Sequence, residues 1–393
     1  MGVRIVIAAA FFSFLPIASA DTYLVLPFFN ASKNPNLNWI GESLAEAMGE
    51  ALGSEGLMVL DRDYRVEAFR RLAIRPYSIL TKASVIKIGE MADAEQVIFG
   101  RFDLTPVSGS KSRGSLQMTA ALLDLRHLKE GPEFVQIGAV EDLAALQGHL
   151  AWQTLRYIKP NGAPSEAEFR ARHPAVRVDA IESYVRGLLA GNPDEEHRLF
   201  TQAARLDPKY SQPCFQLGRL LWKKKEYKSA GDWFQKVTSS DVHYHEANFF
   251  LGLCRYYTGD FSGARAAFQL VARIVPLSEV YNNLGAAESR ANLPDATENF
   301  RKALEGDSSD TAYLFNVGYG LWRQGNYQEA SANFRAVLAR DPSDAQASLL
   351  ESRCARQSGP RPGDTATEGL ERLKTNYEES AYWQLKAVLQ PGK

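Results

Sequence analysis

The stretch Tyr313–Asp344, YLFNVGYGLWRQGNYQEASANFRAVLARDPSD, decides the fold of the second half of this chain. Within it Val317-Gly318, Leu321, Ala330, Phe334, Val337 and Pro342 occupy slots that recur upstream. The glycine slot returns at Gly187, Gly218, Gly252, Gly285 and Gly318, with gaps of 31, 34, 33 and 33 residues. A phenylalanine keeps step at Phe200, Phe234, Phe268, Phe300 and Phe334, with gaps of 34, 34, 32 and 34. Two marks sharing one period are the signature of a stacked helical array. Such arrays usually present a surface for holding another molecule.

The other slots agree. The second unit holds Leu217-Gly218, Leu221, Ala230, Phe234 and Val237; the third holds Leu251-Gly252, Ala264, Phe268, Val271 and Pro276. The fourth holds Leu284-Gly285, Ala296, Phe300 and Ala303, with one residue lost from its turn. The first ends in Phe200, Ala203, Ala204, Asp207 and Pro208, after a shortened turn at Gly191-Asn192-Pro193. Glycine and alanine let helices approach, phenylalanine fills the space between them, and proline stops the second helix of a pair. These residues resemble the tetratricopeptide repeat over whole units. The array runs over 178–357 with about five repeats. Gln346 to Cys354 suits a sixth first helix, though its glycine slot is empty. Ser358–Gly363 is predicted to be a loop. Leu370, Leu373 and Tyr377, then Tyr382, Leu385, Val388 and Leu389, predict two closing helices, a helical cap over 358–393. A solenoid needs such a cover for its apolar end.

The front of the chain follows a different pattern. Arg4, the apolar run Ile5–Ile17 and Ala18-Ser19-Ala20 predict a signal peptide over 1–20, cleaved after Ala20, with an uncleaved anchor as the open alternative. No later stretch predicts a membrane span. Residues 21–158 predict β-α-β-α-α-β-β-β-α, a mixed sheet with packed helices. The strands fall at Tyr23–Phe28, Leu57–Leu60, Gln96–Leu104, Leu116–Leu125 and Glu133–Val140. The helices are marked by Ile40, Leu44, Met48 and Leu52, by Val66, Phe69 and Leu72 before Pro76, by Lys82–Met91 and by Leu143–Ile158. Ser108–Gly114 is the hairpin tip, and 159–177 is a turn-rich linker with a short helix at Glu166–Arg172. The strings VLPFFNASKNPNLNWIGESLAEAMGEAL, MADAEQVIFGRF, MTAALLDLRHLKEGPEF and EDLAALQGHLAWQTL resemble the TolB amino-terminal-like domain. The flagellar FlgO and curli-secretion CsgG proteins share a similar order. That resemblance implies envelope assembly or partner binding and brings no catalytic residues.

The chain has 393 residues, 45% hydrophobic and 23% charged, with a formal net charge of −1, which gives nucleic acid no electrostatic footprint. No phosphate-binding, dinucleotide or zinc-protease motif occurs. Asp61, Asp63 and Glu67, interleaved with Arg62 and Arg65, suit a capped and solvated helix start. His243, His245 and Glu246 lack the spacing of a strong metal site. Cys214, Cys254 and Cys354 fall inside repeat helices and are expected as free, buried thiols. The sequence therefore predicts no catalytic residues, cofactor or metal.

In the repeat family the first helix of each pair lines the concave face. The resemblance then places Phe215, Arg219, Trp222 and Lys223 on the groove, followed by Phe249, Leu253, Tyr256 and Tyr257. Asn282, Arg290, Phe315, Tyr319, Trp322 and Arg323 complete the set. Aromatic rings anchor partners at low entropic cost, and arginine suits carboxylates. The expectation is an exported, periplasmic or extracellular, non-enzymatic scaffold. Its groove holds a peptide or protein, and a second envelope protein docks on the TolB-like domain. Two alternatives stay open: ligand sensing by that domain, and an accessory role in envelope assembly or secretion.

Overall fold

A computed structural model describes residues 21–389 except positions 33, 76, 106–113 and 362. The expected signal segment, Pro76 and nearly all of the hairpin tip lie outside the described residues.

The front half is a mixed sheet. β1 (Thr22–Val25) lies between β3 (Met58–Val59) and β4 (Gln96–Thr105), parallel to both. β5 (Ser115–Asp124) and β6 (Lys129–Ala139) add antiparallel beyond β4. The strand expected to run to Phe28 ends at Val25, and β2 (Phe29–Asn30), parallel to β4, follows only after Phe28. β6 starts before the expected Glu133 because Lys129 and Glu130 pair with Asp124 and Leu123.

Alternation along β1 sends its residues to two cores. Tyr23 and Val25 meet Leu44 and Met48 of α1 (Asn38–Ser54) and Leu150 of α4 (Leu143–Ile158). Leu24 and Leu26 meet Ala68 of α2 (Arg62–Arg71) and Val85 and Ile88 of α3 (Lys82–Met91). α3 begins where the Thr81 side chain accepts from the Ser84 N–H.

The second half is a run of helix pairs: α6 (Val178–Leu188) with α7 (Pro193–Leu206), α8 (Gln212–Lys223) with α9 (Tyr227–Phe234), and α10 (Tyr244–Tyr257) with α11 (Phe261–Ala272). α12 (Ser278–Arg290) pairs with α13 (Ala296–Gly306), and α14 (Thr311–Arg323) with α15 (Tyr327–Arg340). The two periodic marks touch each other. A Cβ added at Gly187, Gly218, Gly252 or Gly285 would meet the ring of Phe200, Phe234, Phe268 or Phe300 at 2.5, 2.6, 2.6 and 2.7 Å. The glycine exists because the phenylalanine of the partner helix lies flush against its backbone. The turns inside the later pairs close through left-handed residues: Lys225, Gly259, Asn292 and Gly325 all have positive φ.

α16 (Ala345–Ala355) starts a sixth pair, and Gln357 takes the same left-handed turn. The second helix does not follow. Gly359, Pro360 and Pro362 cannot support one. This corrects the expected helical cap. After a turn-rich stretch ending at Gly369, residues 370–378 form an extended strap, and only α17 (Glu379–Leu389) of the two closing helices forms. The spacing of Leu370, Leu373 and Tyr377 mimics a helix, but Gly369 is left-handed at φ +70° and sits against the Arg290 guanidinium.

The halves share one core. Tyr184, Val185, Phe200, Tyr210 and Leu217 of the first repeats belong to the same buried cluster as α1 and α4. The segment between α4 and α6 is packed: α5 (Glu166–Arg172) opens with a Ser165/Glu168 capping box and buries Phe169, and Trp152 Nε1 donates to the Pro164 carbonyl at 3.0 Å. No helix among the described residues is long and apolar enough to cross a membrane.

Candidate functional site, the concave groove

The groove face is built from the first helices of the pairs, and the strap lies in it. The strap passes α14 first, then α12, then α10, opposite to the order of the repeats. Tyr319 donates its hydroxyl to the Thr367 carbonyl at 2.9 Å at one end, and Tyr377 stacks on Phe249 with ring centroids 4.9 Å apart near the other.

Three carboxamides hold the strap by its main chain. Asn316 Nδ2 donates to the Arg372 carbonyl at 2.8 Å, and its Oδ1 accepts from the Arg372 N–H at 2.8 Å. Asn283 repeats this on Lys374, donating at 2.7 Å and accepting at 2.8 Å. Asn282 donates to the Arg372 carbonyl at 2.7 Å, and Asn316 donates to Asn282 Oδ1 at 2.7 Å. A carboxamide has one donor side and one acceptor side, as a peptide group does, so each clamp completes what a neighbouring β-strand would supply. Among the described residues, no main-chain group from Glu368 to Tyr377 pairs with another main chain.

One strap side chain is read by chemistry. Glu371 is buried; Ser289 Oγ donates to it at 2.6 Å, Tyr256 Oη donates at 3.3 Å, and Arg323 Nη1 stands 3.6 Å away. Arg323 is fixed from behind by the Ser289 carbonyl and hydroxyl, each at 2.6 Å. Burial, and then the Glu371 charge, push the Tyr256 hydroxyl above its ordinary range. Arg372 lies 3.6 Å over the Phe315 ring and pairs with Asp344 at 2.7 Å; Lys374 faces Tyr313 and pairs with Asp310. At the far end the Glu378 N–H donates to Glu279 at 3.1 Å. His245 Nδ1 and Trp383 Nε1 each lie 2.9 Å from Glu379 Oε1. Burial alone would raise Glu379, yet the hydrogen bonds from His245, Trp383 and Tyr377 hold it below the usual carboxylate range.

The residues expected on the groove divide in two. Phe249, Tyr256, Asn282, Arg290, Phe315, Tyr319, Trp322 and Arg323 all lie at the strap or its connecting loop; Trp322 donates from Nε1 to the Ser358 carbonyl at 2.8 Å. Phe215, Arg219, Trp222, Lys223 and Tyr257 lie towards the front repeats. Phe215 is fully buried and stacked on His243 at 4.3 Å, with Arg219 over it. Leu253 is buried in the core of its repeat. Trp222 packs among Tyr227, Phe250 and Tyr257; Tyr257 is 45% exposed, and Lys223 is exposed.

Asn283, Asn316, Ser289, Glu279 and Glu371 were not anticipated. A signal existed: Asn282 stands where Phe215, Phe249 and Phe315 stand in other repeats, three residues before the glycine. A polar residue in an apolar slot announces a hydrogen-bonded neighbour. His243 and His245 diverge, one to Phe215 and Glu246, the other to Glu379. Arg62 and Arg65 turn inward to Glu42 and Glu46 of α1. The three cysteines are free and buried, and burial raises Cys214 and Cys354 to about 11 and Cys254 to about 12.

Comparison with known proteins places the repeats. Family profiles described as Tetratricopeptide repeat match residues 318–360 and 211–241. The pair α8 with α9 and the stretch from the later half of α14 through α16 therefore carry tetratricopeptide repeats. A curated relative, the BBSome complex member BBS4 of Bos taurus, is 27% identical over 170 residues, which is 42% of this chain. The match spans only 33% of that relative. Similar solved structures include MamA 41-end from Desulfovibrio magneticus RS-1, 23% identical, covering 41% of this chain and 92% of that one with a TM-score of 0.37. YrrB, described as a TPR protein with an unusual peptide-binding site, is 20% identical, covering 49% and 98% with a TM-score of 0.36. Pseudomonas aeruginosa pilF is 19% identical, covering 55% and 93% with a TM-score of 0.37.

Proposed function

We propose, from an array that carries tetratricopeptide repeats, that this protein is a non-enzymatic scaffold whose groove holds an extended segment of a protein partner. The observation that carries this reading is the clamping of the strap backbone by Asn283 and Asn316. Carboxamides spaced to hold a main chain suit any extended polypeptide and do no chemistry on it. The A-x-A site at Ala18-Ser19-Ala20 and the resemblance of residues 21–158 to TolB-like domains support export to a bacterial envelope. The same resemblance supports a second partner on the sheet. Its open edge is β6, where Val135 and Ile137 are 43% and 63% exposed.

The test is a photocrosslinking amino acid at Tyr257 of the full chain in its native cell, with the crosslinked peptides mapped. An adduct to an extended segment of another protein is expected. Adducts confined to this chain's own residues would overturn the reading. Amino-terminal sequencing of the mature protein should begin at Asp21; an intact Met1 would overturn cleavage, and together with recovery in the cytoplasmic fraction would remove the export element.

A further inference from the structure

The strap occupies the site that a partner needs. We propose that residues 367–379 are a built-in stand-in for the ligand, and that the groove's partner is an extended segment carrying a glutamate at the Glu371 position and an aromatic residue six positions later, where Tyr377 stands. The partner binds by displacing the strap. This rests on the scaffold reading and sharpens it to one ligand chemistry and one means of control.

The socket for the glutamate exists without the strap. Arg323 is held by Ser289 and Asn292 of its own array, and Tyr256 comes from a different repeat. Three donors converging on one buried carboxylate form a specific site, because a segment without an acid would leave Arg323 and Ser289 facing an uncompensated gap. Six residues further along, the Phe249 face takes the Tyr377 ring. Between these anchors the clamps hold the Arg372 and Lys374 main chain, while Asp344 and Asp310 pair with those two side chains and favour basic residues there.

The strap is attached as a ligand is attached. It contributes no strand or helix of its own between Gly369 and Glu378, and Glu368, Gly369, Thr375, Asn376 and Glu378 face solvent. Its link to α16 runs through Gly359, Pro360 and Gly363, so its amino-terminal side can leave without unwinding α16. Tethering raises its local concentration to about millimolar for a short flexible link. A free segment of equal intrinsic affinity therefore competes poorly until the strap is weakened.

The experiment uses the full chain and a fluorescein-labelled peptide of residues 366–379, ATEGLERLKTNYEE. The double variant Glu371→Ala/Tyr377→Ala weakens the strap in cis. It should bind the peptide at least ten-fold more tightly than the unaltered chain does. A peptide with alanine at the Glu371 position should bind at least ten-fold more weakly. Absence of peptide binding by a helical double variant overturns the proposal, and equal binding of both peptides overturns the glutamate requirement. Hydrogen exchange of the unaltered chain guards against a variant that misfolds. The Arg372 and Lys374 amides should exchange through an opening that leaves α12 and α14 protected. Exchange of those amides only with the whole array would make the strap a permanent element and sink the proposal. In that case a partner captured at Tyr257 would still leave the scaffold reading standing, so the two failures are distinguishable.

Discussion

The seam between the sheet and the first repeats is filled mainly with rings and aliphatic chains, whereas the seam between the strap and the groove adds carboxamides, a carboxylate and guanidinium groups to the packing of Leu370, Leu373 and Tyr377. At the first, Tyr184 packs against Phe200 and Tyr210 with centroids 5.8 and 5.2 Å apart, inside the cluster that also holds α1 and α4. At the second, the groove holds a main chain through Asn283 and Asn316. An apolar seam merges two units into one folding body, because parting them exposes area to water. A seam of hydrogen bonds exchanges partners at small net cost, because water or another peptide can replace them. The difference separates what is fixed in this molecule from what can open.

The sharpest way to break the comparison is at the apolar seam. Phe200→Ala should cost about 3–5 kcal/mol, and one cooperative transition should move for sheet and repeats together in a thermal melt followed by circular dichroism. Separate transitions would show that the shared cluster does not couple them. Gly252→Ala forces a methyl to 2.6 Å from the Phe268 ring and should cost about 1–3 kcal/mol, read as a shift in urea midpoint. An unchanged midpoint would mean that the glycine–phenylalanine register is slack.

At the polar seam, Asn316→Ala removes both bonds to Arg372 and should cost about 1–2 kcal/mol, felt locally. Amide exchange should accelerate in the strap and stay slow in α14; uniform acceleration would erase the contrast between the seams. The smallest effect expected is on pH dependence. At the junction Glu50, which accepts from Gln212, is pushed well above the usual carboxylate range by burial first, then by Asp241 and Glu46. Glu46 and Asp61 are also raised, chiefly by burial. A raised carboxyl contributes stability that is complete below its unfolded value of about 4.5 and fades as pH rises through the folded value. The unaltered chain should therefore gain melting temperature between pH 8 and pH 5, and Glu50→Gln should flatten that slope by about 2 °C. The strap anchor runs the other way: Glu379 is lowered, so its contribution is lost as pH falls through that lowered value, below 4.5. A steeper slope in the Glu50→Gln variant would contradict the assignment.

The helix pairs were legible because glycine and phenylalanine touch within one repeat, so the contact leaves a mark of fixed period in the sequence. Lys82–Met91 and Leu143–Ile158 were legible because their apolar periodicity stays unbroken from end to end. The groove was half legible. The resemblance to the repeat family placed aromatic and basic residues of the first helices on the groove, but Asn283 and Asn316 gain meaning only beside the strap. The strap was misread because Leu370, Leu373 and Tyr377 have helical spacing, while the groups that outcompete a helix lie 56 and 91 residues away in Asn316 and Asn283.

By itself the sequence determined the order of a mixed sheet and a repeat array and the register of each helix pair. Those follow from local periodicity and from contacts within one repeat. The tertiary structure decided that the sheet and the first repeat share a core, and that the groove is filled by the chain's own carboxy-terminal segment. Both depend on contacts between residues far apart in the chain, and no period in the sequence records which distant surfaces meet.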